Sequence, residues 1–132
     1  MYSDTRYLQY SDDEKGKRLV DDFYFILINW NMKKYIPSLQ RNAQLEGIAQ
    51  DEEIRFHFAS EVEKDDEEYF GDSGVMFYYD YPAEEEDTAI FLTNEEFFGV
   101  LQEKSEEYLQ KHAEDRQEVA ELLKEIRKKL NV

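Results

Sequence analysis

A chain of 132 residues, 41% hydrophobic and 15% aromatic, has the length and apolar content of a single folded domain spanning 1–132 and not of a disordered acidic tail. Its net charge of −16 opposes binding to nucleic acid or to an anionic membrane and favours a basic partner. With no cysteine, the chain can build neither a disulfide framework nor a thiolate zinc site.

The opening "MYSDTRYLQYSDDEKGK" lacks a basic segment followed by an apolar stretch, so no secretory signal is expected, and residues 1–12 read as coil or a short strand. From Asp13 the pattern turns helical. Leu19, Val20, Phe23, Ile26, Leu27 and Trp30 follow the spacing of one apolar stripe, with Asp12 or Asp13 as the cap. The longest apolar run, "FYFILI", is too short to span a bilayer, and a cytoplasmic location is expected. In "YIPSLQRNAQLEG" Pro37 suits the first turn of a second, short helix and Gly47 its C-terminal stop.

"EIRFHFAS" then alternates, with Ile54, Phe56 and Phe58 on one face and Arg55 and His57 on the other. After the acidic stretch "VEKDDEEYFGDSG", the segment "GVMFYYDY" sets Val75, Phe77 and Tyr79 inward and Met76, Tyr78 and Asp80 outward. A turn at Pro82 and "EEED" leads into "TAIFL", with Ile90 and Leu92 inward. Three strands with short links imply an antiparallel meander. "TNEE" at 93–96 fits a capping box, opening a helix with Phe97, Val100, Leu101 and Tyr108 on one face. A break near His112 and Ala113 precedes the last helix, striped by Val119, Leu122, Leu123, Ile126 and Leu130. The expected fold is α+β, in the order α-α-β-β-β-α-α, with a three-stranded antiparallel sheet between two N-terminal and two C-terminal helices. Trp30 and the helices are expected to pack one face of that sheet.

The charge is unevenly placed. Residues 46–96 hold eighteen acids against Arg55 and Lys64, whereas 1–45 and 97–132 are nearly neutral. Like charges crowded onto neighbouring loops repel one another, and solubility alone would be met by spreading them. A concentrated patch is instead the complement of a basic surface. Its candidate binding residues are Asp65, Asp66, Glu67, Glu68, Tyr69, Asp72, Tyr78, Asp80, Glu84, Glu85, Glu86, Asp87 and His57, with Tyr69, Tyr78 and Asp80 as a desolvated centre inside a charged rim. Catalytic chemistry has no comparable support. No serine stands in a nucleophile-elbow context, and "DDEEYFGDSG" puts Tyr69 and Phe70 where a calcium loop needs oxygen ligands and glycine. No phosphate-binding glycine motif occurs. The chain is expected to be neither an enzyme nor a holder of a cofactor or metal.

The acidic loop leading to "GVMFYYD", followed by "EEFFGVLQEKSEEYLQKHAEDRQEVAELLKEIRKKL", resembles the immunity proteins of bacterial contact-dependent growth inhibition, in the branch paired with EndoU-like ribonuclease toxins. The resemblance covers about Gly47 to Leu130. It implies a small cytoplasmic antitoxin that binds the C-terminal nuclease domain of a cognate toxin and blocks it. A ribonuclease needs a basic cleft, which an acidic protein can fill. The alternative function is an acidic adaptor or nucleic-acid mimic for some other basic partner.

Overall fold

The computed structural model describes residues 5–132. The elements run β1 (Arg6–Gln9), α1 (Glu14–Asn29), α2 (Tyr35–Asn42), β2 (Ile54–Phe58), β3 (Val75–Tyr79), β4 (Thr88–Leu92), α3 (Asn94–Leu109) and α4 (Arg116–Leu130), with single 3-10 turns at Met32–Lys34, Ala59–Glu61 and Ala113–Asp115. The four helices and the meander β2–β3–β4 stand where the sequence puts them. The sheet does not have three strands. It has four, in the order β1-β4-β3-β2, and β1 pairs parallel to β4, Arg6 opposite Thr88 and Leu8 opposite Ile90. The expected three-stranded antiparallel sheet is therefore corrected to a mixed one. A strand of four residues with one inward side chain, Leu8, carries too little alternation to declare itself, and its partner lies some eighty residues downstream.

One face of the sheet carries the core. Phe56, Phe77 and Ile90 lie in one row across it, and Phe58, Val75 and Leu92 in the next. Phe23 of α1 meets Phe56 and Phe77 edge-on at 5.5 and 5.3 Å, while Phe97 of α3 closes on Phe58 at 5.4 Å and 86°. All four of these phenylalanines from the sheet and helices other than Phe58 are fully inaccessible, and Phe58 is nearly so. Behind this layer Tyr35 of α2 stacks on Tyr108 of α3 at 4.5 Å and shares a 2.7 Å hydrogen bond with the Ser105 hydroxyl. Tyr79, expected inward, donates from that face to the Leu19 carbonyl. Lys104 of α3 reaches Asp21 of α1 at 3.0 Å, with its side chain 9% exposed.

The caps are as the sequence implies. The Asp13 carboxylate accepts from the N–H of Lys15 and Gly16 at 2.9 and 3.1 Å. Thr93 and Glu96 form the reciprocal box, at 3.1 and 2.9 Å. Two expectations fail here. Trp30 is 71% exposed: its backbone is still helical and its N–H still bonds to the Ile26 carbonyl, but the buried stripe of α1 runs through Leu19, Val20, Phe23, Tyr24, Leu27 and Ile28 and leaves Trp30 outside it. Gly47 does not stop α2, which ends at Asn42, with Leu45 taking the left-handed conformation (φ 58°). Gly47 instead lets its segment lie against the backbone of β2: a Cβ there would stand 1.9 Å from the Phe56 carbonyl oxygen.

Candidate interaction surface

On the other face of the sheet the buried cluster is covered, among the described residues, by no helix residue but by the acidic loop 62–74, while the turn 80–87 leaves the end of β3 with Glu84 paired to Lys15 of α1. Arg55, Tyr78 and Ala89 form one row across that face, and His57, Met76 and Phe91 the next. Alternation places this face toward solvent, yet Met76, Tyr78 and Ala89 are buried. The cover is the acidic loop 62–74 itself. It folds back so that Phe70 packs on this cluster and meets Phe91 edge-on at 6.0 Å.

Arg55 pins that arrangement. Its guanidinium lies 4.6 Å above the Tyr78 ring, donates to Asp80 Oδ2 at 2.9 Å and approaches Glu68 Oε1 at 3.9 Å. The loop 62–74 and the turn 80–87 leave opposite ends of β3, and this one cation joins them. A lone arginine among eighteen acids is the sequence signal that could have identified it. The side chain is 17% exposed, so water screens these contacts less than those of a surface pair.

The candidate binding residues fall into two groups. Asp65, Asp66, Glu67, Asp72 and Glu85 are exposed, Asp66 and Asp72 while also accepting hydrogen bonds within the loop. The others are more enclosed or paired with a cation. Tyr78 is 3% exposed beneath Arg55. Asp80 and Glu68 face the guanidinium, Glu84 pairs with Lys15 at 2.7 Å, and Glu86 with Arg6 at 3.4 Å. Asp87 accepts from the Tyr81 N–H at 2.8 Å. The Tyr69 hydroxyl donates to Asp72 at 2.5 Å, and that hydrogen bond raises the phenol's pKa above its ordinary value. Asp66 caps the Glu68 N–H at 2.7 Å, so the loop is a series of turns held by its own acids. At its end Gly74 takes φ +102°, and a Cβ there would strike the Phe91 ring at 2.5 Å.

His57 lies 3.7 Å from Glu61 and 5.9 Å from the Tyr78 ring. Glu61, missed in the sequence, holds the root of the loop, accepting from the N–H of Gly47 at 2.9 Å and of Phe58 at 2.8 Å. Partial burial alone would raise its pKa. The nearby His57 imidazole and the hydrogen bonds from the two backbone amides outweigh it and hold the carboxyl below the usual range. A depressed folded-state pKa contributes stability above the unfolded value, and that stability is lost as pH falls through the folded one. Glu61→Gln is accordingly expected to cost about 1–2 kcal/mol at neutral pH, with the difference from the parent shrinking below the ordinary carboxylate range. Urea midpoints at pH 7 and pH 3 check this; equal losses at both would remove the ionised carboxylate as the cause.

Among the described residues one group offers metal-ligand atoms within 4.8 Å of one another, His112, Glu114 and Asp115 at the turn between α3 and α4. Asp115 is already the acceptor of the Tyr108 hydroxyl at 2.7 Å, His112 stacks on the Tyr108 ring at 4.5 Å, and the N-terminal dipole of α4 opposes a cation there. The turn is accounted for by packing. No helix among the described residues is long and apolar enough to cross a membrane.

A family model described as CDI immunity protein matches residues 16–123. No curated protein and no solved structure matches the chain.

Proposed function

The chain belongs to the CDI immunity protein family, whose members neutralise a cognate toxin, and we propose that this one does so by laying its acidic sheet face on the basic RNA-binding surface of a nuclease toxin domain. The family points to an inhibitor and not to an enzyme. The observation that carries the finer reading is the ordered acidic loop. Arg55 and Phe70 hold the loop against the sheet, and this leaves Asp65, Asp66 and Glu67 projecting from a fixed base. Charges on a held loop lose little conformational freedom on binding, and a field of one sign speeds encounter with a cationic cleft. The division of labour in this reading follows from exposure. The exposed acids make the approach, while Tyr78, Asp80 and Glu68 hold the loop and His57 backs it. The reading further includes a cytoplasmic site of action and a single domain over 1–132, the latter supported by the one continuous core that links all four helices to the sheet.

The direct test is RNA cleavage by the toxin domain encoded beside this chain, with and without the chain, at two salt concentrations. Stoichiometric inhibition that weakens with salt is expected. Tight binding without any effect on RNA cleavage would leave the chain an antitoxin for a different class of toxin. A charge-matched pair of variants tests the patch. Asp65→Lys/Glu85→Lys is expected to weaken toxin binding at least about tenfold more than Glu121→Lys/Glu125→Lys on α4, since both change the net charge equally but only the first lies in the patch. Equal dissociation constants would reject the patch and leave a general charge effect.

A further inference from the structure

A second surface, away from the acids, has the opposite character. Phe25 and Trp30 at the end of α1 are 55% and 71% exposed and lie edge to face, 6.5 Å apart. The next residue, Asn31, lines a cleft of about 420 Å³ between the end of α1, α2 and the segment 48–50. Leu27, Pro37 and Ile48 give its walls apolar surface and Lys34 gives it charge; Arg41, also on its wall, is paired with Glu46 at 3.6 Å. No carboxylate lines it, in a chain with twice as many acids as bases. Lys33 and Lys34 are exposed, and among the described residues neither side chain has an ion pair. An exposed tryptophan a few residues before two exposed lysines and next in sequence to a residue lining a cleft without carboxylates has the make-up of an interface anchor.

We infer that this face is a second docking surface for the toxin, taking an acidic segment of the toxin polypeptide that carries an apolar side chain. The inference rests on the chain's binding a toxin, not on the acidic patch. A basic part of the partner would be repelled by Lys33 and Lys34, whereas a carboxylate pairs with them and an apolar neighbour enters the cleft between Leu27 and Ile48. Two contacts of opposite sign set the orientation of the complex, and a single acidic field only attracts.

The sign of one mutational effect tests it. Lys33→Glu/Lys34→Glu makes the chain more acidic, so attraction of a basic toxin by the overall field alone would leave binding unchanged or tighten it. The second surface instead requires binding to weaken, by about tenfold or more. Acids suit the start of α2, which has neither a side-chain cap nor an acid in its first turn, so the variant is expected to fold. Trp30 is the only tryptophan, so chain labelled with 5-fluorotryptophan gives one fluorine resonance from this face. That resonance is expected to shift on adding unlabelled toxin domain and to stay put when the labelled chain alone is concentrated. Unchanged or tighter binding by the lysine variant, or a silent resonance in the complex, overturns the inference. A shift caused by concentration alone also overturns it, by assigning the face to a second copy of the chain. Weakening by Asp65→Lys/Glu85→Lys without weakening by the lysine pair leaves the acidic patch standing and removes this surface, and the converse removes the patch.

Discussion

Gly47→Ala is expected to lower stability by more than about 3 kcal/mol, the largest effect of any single methyl group added to this chain. The added carbon would stand 1.9 Å from the Phe56 carbonyl oxygen and 2.8 Å from its carbon. Both are backbone atoms of a strand whose side chain is fully buried, so neither can swing away. The segment 46–50 must therefore lift off β2. Lifting it breaks the Phe56 N–H to Ile48 bond at 2.9 Å, the Gly47 N–H to Glu61 bond at 2.9 Å, and the Arg41 Nε to Gly47 carbonyl bond at 3.1 Å. The outer edge of β2 would then be open to other chains, and aggregation is expected alongside the lower urea midpoint. Gly99→Ala is the control. Gly99 is an exposed position inside α3 with nothing within 4 Å of an added Cβ, and a gain of about 0.5–1 kcal/mol is expected there. A Gly47→Ala midpoint close to the parent's would mean that the 46–50 segment is not seated on β2 in solution.

Removing the cation from the acidic face should have the second largest effect. In Arg55→Met the side chain keeps its length and apolar stem but leaves Asp80 and Glu68 without their counter-charge. Loss of a partner from a fully buried pair costs about 3–5 kcal/mol, and an exposed pair about 0–1. These carboxylates are a quarter exposed, so about 2–3 kcal/mol is expected, including the lost contact with the Tyr78 ring. The loss is local as well as global. Amides of 62–74 are expected to exchange hydrogen far faster in the variant, while those of α3 follow the overall stability. Uniform acceleration throughout the molecule would show that Arg55 supports the core and does not hold the loop in particular.

The legible parts of the fold were those with a local period. Ile54, Phe56 and Phe58, then Val75, Phe77 and Tyr79, repeat every second residue and mark the core face of β2 and β3. Thr93 and Glu96 mark the start of α3 by chemistry that needs only four residues. The misread parts depend on chain that comes back from a distance. Leu8 gives no sign of its pairing with Ile90. Met76 and Tyr78 read as outward because alternation cannot register a loop that returns to cover them with Phe70. Trp30 fits a helical stripe by spacing alone, but the buried face of α1 passes through Tyr24 and Ile28 and leaves Trp30 in solvent. For the interaction surface, the concentration of acids in 46–96 was plain from composition. Which of those acids are spent on Arg55, Lys15 and Arg6, and which remain outward, is a matter of side-chain geometry that no count of charges contains.

The pairing of β1 with β4 has a consequence for when the protein becomes whole. Synthesis delivers Arg6 first and Thr88, its partner, some eighty residues later, a gap of roughly 4–16 s at about 5–20 residues per second. Through that interval only β2 and β3 of the meander can pair, and the first strand has no edge of β4 to join. The sheet therefore closes late, with its oldest strand added to its newest, because the edge that β1 joins does not exist until β4 has been made.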